Sequence, residues 1–199
     1  MSIRKWVYLF FTTLVIGGVL GGAFGLVYNW ERFISEGFLN LLIGSVELIG
    51  YGFMFSVISQ MGFFAYLTVH RFGLGVFGSA SLWNGILAVL TAFVLFDLYY
   101  FRESTFRDPG EGLIGYFLVP LFLLVFSWAV AYQKRKETNR YAFIPTLFFM
   151  VVVTTFEWYY PLKTNDPAWV WPTLAILLAC NAWQVLLLHR LLDSSKKQS

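Results

Sequence analysis

The sequence predicts an all-α fold: a polytopic membrane helix bundle of six transmembrane helices, forming a single domain over residues 1–199 with both termini cytoplasmic. Three observations predict it. Hydrophobic residues make up 58% of the chain and charged residues 13%, far from the roughly 45–50% and 25% of soluble domains, and the mean hydropathy is +0.67. Six apolar runs each reach the length of about 20 residues that a spanning helix needs: Trp6–Tyr28, Phe38–Val69, Ser81–Phe101, Leu113–Tyr132, Tyr141–Tyr160 and Ala168–Leu192. The third observation is an asymmetry of charge. Arg4, Lys5, Arg71, Lys134, Arg135, Lys136, Arg140, Arg190, Lys196 and Lys197 fall on one side of the alternating spans, and Arg32, Arg102, Arg107 and Lys163 on the other. With loops this short, the basic side is the cytoplasmic one.

The first run opens after Arg4-Lys5 and is too long for a signal-peptide core, so it reads as a retained helix. It carries Gly17, Gly21 and Gly25, with Gly18 and Gly22 repeating the spacing one position along. Because lipid supplies no hydrophobic drive between helices, such stripes let two backbones approach and gain dispersion contacts. The partner is either another helix of this chain or a helix of another protein.

In the second run Glu47 lies roughly two turns inside the span. It is the best single candidate for a functional ionisable group, the alternative being a structural hydrogen bond to a neighbouring helix. Gln60 lies thirteen residues further on, about 140° around an unbroken helix. The helix must therefore face two neighbours or break near Gly50-Tyr51-Gly52.

The third run carries Asn84 and Asp97, and the fifth Glu157. Asp97 and Glu157 lie within about a turn of their expected helix ends, where snorkelling to water is cheap. Glu47, Asp97 and Glu157 share the outer side and form a candidate acidic site for a cation, a proton or a basic group. Gln60, Asn84, Asn181 and Gln184 form a second, inner polar layer. Asn181 and Gln184, three apart, share one helix face.

Between the fourth and fifth runs, Gln133–Arg140 is the densest charge run and reads as a cytoplasmic loop lying against anionic lipid or docking a cytoplasmic partner. Arg107-Asp108-Pro109-Gly110 and Asn165-Asp166-Pro167 read as external turns. Cys180 is the only cysteine and sits inside the last run, where it acts as a small hydrophobe. His70 and His189, each followed by arginine, read as interfacial anchors.

No metal constellation and no catalytic motif of the HExxH, G-x-S-x-G or Walker kind is present. No enzyme, cofactor or nucleic-acid partner is expected, and the hydrophilic segments are too short to hide a soluble domain.

Two stretches carry a resemblance: Ser56–Gly75 (SVISQMGFFAYLTVHRFGLG) and Ala142–Trp158 (AFIPTLFFMVVVTTFEW). With them the chain resembles the KbaA family of KinB-signalling pathway activation proteins from spore-forming bacilli. The resemblance implies a multi-pass protein of the bacterial cell membrane that activates a membrane sensor histidine kinase feeding the sporulation phosphorelay. It implies no catalytic residue. Two roles stay open: an accessory protein that binds the kinase, or a small transporter or intramembrane ligand-binding protein whose substrate or occupancy the kinase senses. The resemblance tips the glycine stripe toward contact with a transmembrane helix of the kinase.

Overall fold

The structure, a computed structural model, describes residues 3–106 and 113–196, apart from 29, 32–34 and 36. Among the described residues it is all-helical, with six helical segments long and apolar enough to cross a membrane. In chain order the elements are α1 (Ile3–Tyr28), α2 (Phe38–Phe77), α3 (Ala80–Thr105), α4 (Leu113–Glu137), a 3-10 turn (Arg140–Ala142), α5 (Phe143–Phe148), a π turn (Phe149–Val153), α6 (Thr154–Thr164) and α7 (Pro167–Lys196). Three of these depart from the sequence expectation.

First, α2 continues without a break through Gly50–Gly52 and past Val69 to Phe77. Its 40 residues make it roughly 60 Å long at about 1.5 Å per residue, about twice the hydrocarbon thickness. It stops where Gly78 adopts φ +61°, a left-handed conformation open to a residue without a Cβ. Ser79 then caps α3, its Oγ accepting from the Leu82 N–H at 3.4 Å.

Second, the basic run is not a loop. Lys134, Arg135 and Lys136 form the last turn of α4, where cations complement the carbonyl end of the helix dipole. The connection shrinks to Thr138 and Asn139, and Asn139 Oδ1 accepts from the Tyr141 N–H at 2.9 Å to start the next element.

Third, the fifth span is a composite of 3-10, α and π turns rather than one regular helix. Pro145 and Pro161 withhold backbone donors within it. The expected turn before α7 is present: Asn165 takes φ 51°, Asp166 Oδ1 accepts from the Ala168 N–H at 2.9 Å, and Pro167 opens the helix, where its missing N–H costs nothing. The expected turn at Arg107–Gly110 and the loop position Arg32 lie outside the described residues.

The chain divides into two compact units, Met1–Gly62 with Glu157–Ser199, and Phe63–Phe156. In the first, α1 lies against α7 and α2. Lys5 Nζ donates to the Leu191 carbonyl at 2.8 Å, Trp183 Nε1 to Thr12 Oγ1 at 3.1 Å, and Cys180 Sγ to the Thr13 carbonyl at 3.7 Å. These pairings run α1 and α7 antiparallel and bring the start of α1 to the same side as the end of α7.

The second unit has an aromatic core. Phe149, fully buried, meets Phe63 at 5.4 Å and Tyr66 at 4.9 Å between ring centroids. Tyr66 donates its hydroxyl to the Pro145 carbonyl at 3.0 Å. Trp83 donates its indole N–H to His70 Nδ1 at 2.9 Å and stacks on Phe77.

Candidate functional site

Small residues let α1 and α2 approach. A Cβ on Gly21 would fall 2.6 Å from the Leu48 carbonyl oxygen and 2.7 Å from the Gly52 Cα, and one on Gly17 would fall 2.5 Å from the Ser56 Cβ. Gly25 lies under the Leu48 side chain. Gly17, Gly21 and Gly25 are all buried. The stripe thus packs within the chain, against the N-terminal part of α2. This corrects the expectation of an external contact, because a second helix cannot occupy a seam already filled by backbone.

The seam leads to a group of buried polar side chains on α2 and α7. Ser56, Ser59, Gln60, Asn181 and Gln184 are all buried, and four of the contacts around them form one continuous chain. Gln184 Nε2 donates to the Cys180 carbonyl at 3.2 Å and to Ser59 Oγ at 2.7 Å. Ser59 Oγ donates to Asn181 Oδ1 at 2.7 Å. Asn181 Nδ2 donates to Glu157 Oε2 at 2.7 Å. Beside the chain, Gln60 Nε2 donates to Ser56 Oγ at 3.3 Å. Trp158, next to Glu157 and fully buried, fixes α6 on α7 by donating to the Val170 carbonyl at 2.9 Å.

The two expected polar layers are therefore redistributed. Glu157 joins Asn181 and Gln184 in one chain instead of lying at a water interface, since its helix continues past the expected end at Tyr160 to Thr164. Gln60 sits beside this chain. Asn84 belongs to the second unit, where it donates to the Tyr141 carbonyl at 3.1 Å. Asp97, also in the second unit, is exposed. Glu47 is exposed as well, and among the described residues the Tyr51 hydroxyl donates to it at 3.5 Å, the outer limit of a useful hydrogen bond.

Ser59, the bridge of the chain, is absent from the sequence-derived set. Serines in apolar helices commonly bond their own backbone, so a single one is no signal. The stripe of Ser56, Ser59 and Gln60 at helical spacing would have been. Among the described residues no group of three or more His, Cys, Asp or Glu could hold a metal ion.

Chemically, this site can bind and orient. It presents one carboxyl group, three amides and two hydroxyls. The family described as KinB-signalling pathway activation in sporulation, KbaA, matches residues 17–191. This chain belongs to the KbaA family. The KinB-signaling pathway activation protein of Bacillus subtilis (strain 168) is 42% identical over 195 residues, covering 96% of this chain and 98% of the relative. No solved structure matches. The KbaA match takes in every member of the polar chain and the glycine seam from Gly17 onward.

Proposed function

We propose that this KbaA-family chain is a multi-pass protein of the bacterial cell membrane that activates the sporulation pathway by contacting the membrane sensor kinase within the bilayer. The observation that carries the reading is the combination of family membership with six long apolar helices joined, where described, by turns as short as Gly78-Ser79. With connections this short among the described residues, lipid-facing helix surfaces and helix ends, including the part of α2 that exceeds the hydrocarbon thickness, are the means of reaching a kinase. α3 offers such a surface, with Val89, Phe93 and Phe96 exposed along it. The basic asymmetry supports cytoplasmic termini.

A photo-crosslinking amino acid at Val89, Phe93 or Phe96, in native membranes containing the kinase, tests the contact. Crosslinks to the kinase at one or more of these positions, and none from buried Leu87, are expected. Full pathway activation with no crosslink from any exposed position of any span would contradict direct contact. Orientation is tested separately: a cysteine at Arg135 should resist an impermeant thiol reagent applied to intact cells, while one at Lys163 should react.

The second reading, an intramembrane ligand-binding protein or small transporter whose occupancy the kinase senses, draws on the buried polar chain ending at Glu157. Crosslink-free activation that still depends on Glu157 would favour it.

A further inference from the structure

Every side chain in the polar chain has its direction set by its neighbours. The Cys180 carbonyl can only accept, so the Gln184 atom 3.2 Å away is the amide nitrogen. That nitrogen also donates to Ser59, and the Ser59 hydroxyl donates to the Asn181 oxygen. Asn181 then presents N–H to Glu157 Oε2. The series of donors runs one way and ends on a carboxyl oxygen that accepts. The other oxygen, Oε1, is buried and has no hydrogen-bond partner among the described residues.

We propose that Glu157 is a proton-binding site, with the proton held on Oε1 and the carbonyl character kept on Oε2 by Asn181. The proposal does not rest on kinase contact. A proton is the ligand that fits because a hard cation such as calcium needs six to eight oxygens, whereas Oε1 stands alone and no metal-holding cluster is found among the described residues. An unpaired buried charge is also costlier than a neutral acid.

Among the described residues, the groups that the polar chain touches on α2 and α7 are amides, hydroxyls and a backbone carbonyl, and the Cys180 thiol is a titratable neighbour on α7. α7 presents Asn181, Gln184 and the Cys180 thiol, which points to the Thr13 carbonyl of α1. α2 presents Ser56, Ser59 and Gln60. On α6 itself Tyr159, Tyr160 and Lys163 are exposed. Pro161, four residues beyond Glu157, cannot donate to the Glu157 backbone carbonyl, which loosens the helix at the carboxyl group.

Infrared difference spectroscopy of the full-length protein in phospholipid vesicles, recorded between two pH values, tests the site. The expected result is a protonated-carboxyl C=O band that moves down in D2O, disappears in Glu157→Gln and persists in Glu47→Gln. In Asn181→Ala the band should move to higher frequency, because Oε2 loses its donor. Should Asn181→Ala fail to fold, the D2O shift together with the Glu157→Gln loss decides. A spectrum with no Glu157-dependent carboxyl band, a band that ignores Asn181→Ala in folded protein, or a Glu157 signal driven by sodium at constant pH would overturn the proposal.

Discussion

The two units solve the same problem with different chemistry. The first brings backbones together through glycine and links α2, α6 and α7 by the directed chain Gln184–Ser59–Asn181–Glu157. The second fills its interior with rings, and three of the polar contacts between its elements are single pairs: Trp83 with His70, Tyr66 with the Pro145 carbonyl, Asn84 with the Tyr141 carbonyl. An isolated pair contributes about 0.6 kcal/mol in a membrane protein. A chain in which each donor depends on the next stands to lose more than one bond when any link is cut. The glycine seam of the first unit should thus resist added bulk and its polar chain be sensitive to deletions, whereas the second unit, except where Gly73 packs under the Trp83 indole, should tolerate both.

The largest effect expected from this contrast is at the seam. Gly21→Leu would drive a side chain into the backbone of α2, and overpacking of this kind costs about 1–3 kcal/mol or more. Thermal denaturation in detergent should show a clear loss, with reduced abundance in membranes. Gly85→Leu in the second unit, where a Cβ meets nothing within 4 Å, should change neither. Equal losses in the two variants would break the contrast.

Next comes the polar chain. Asn181→Leu strands the Ser59 hydroxyl and Glu157 Oε2 together, and leaving buried polar groups unsatisfied costs about 1–3 kcal/mol. Asn84→Leu removes one bond from a partly exposed side chain in the second unit, and about 0.6 kcal/mol is expected. Similar melting shifts for the two would deny the first unit its network.

Below the Asn181 effect, Trp83→Phe deletes the donor to His70 while keeping a ring against Phe77, and about 1 kcal/mol should be lost. Glu47→Gln should move stability by under about 0.5 kcal/mol, as exposed substitutions do. A larger Glu47 effect would return that residue to the site.

Much of this organisation is legible in the residues. The six spans follow from apolar run length, and the three-residue spacing of Asn181 and Gln184 places both toward Ser59. The 140° separation of Glu47 from Gln60 foretells that one faces out while the other is buried. Depth is harder to read. Glu157 looks interfacial if its helix stops at Tyr160, but hydropathy falls off before the helix does, and the extra turn to Thr164 moves the carboxyl inward. The same lag hides the helical state of Lys134–Lys136. The covered side of the glycine stripe is not legible, because the spacing alone describes one surface and the residues that fill it, Leu48, Gly52 and Ser56, lie on another helix.

The central claim is that Glu157 and Ser59, which share no bond, act as parts of one chain through Asn181. A double-mutant cycle on the thermal stability of the full-length protein, using Ser59→Ala, Glu157→Gln and their combination, tests it most directly. A coupling energy of about 0.5 kcal/mol or more is predicted for groups in one network. Losses that add to within about 0.3 kcal/mol would mean the two residues act independently, and would contradict the account.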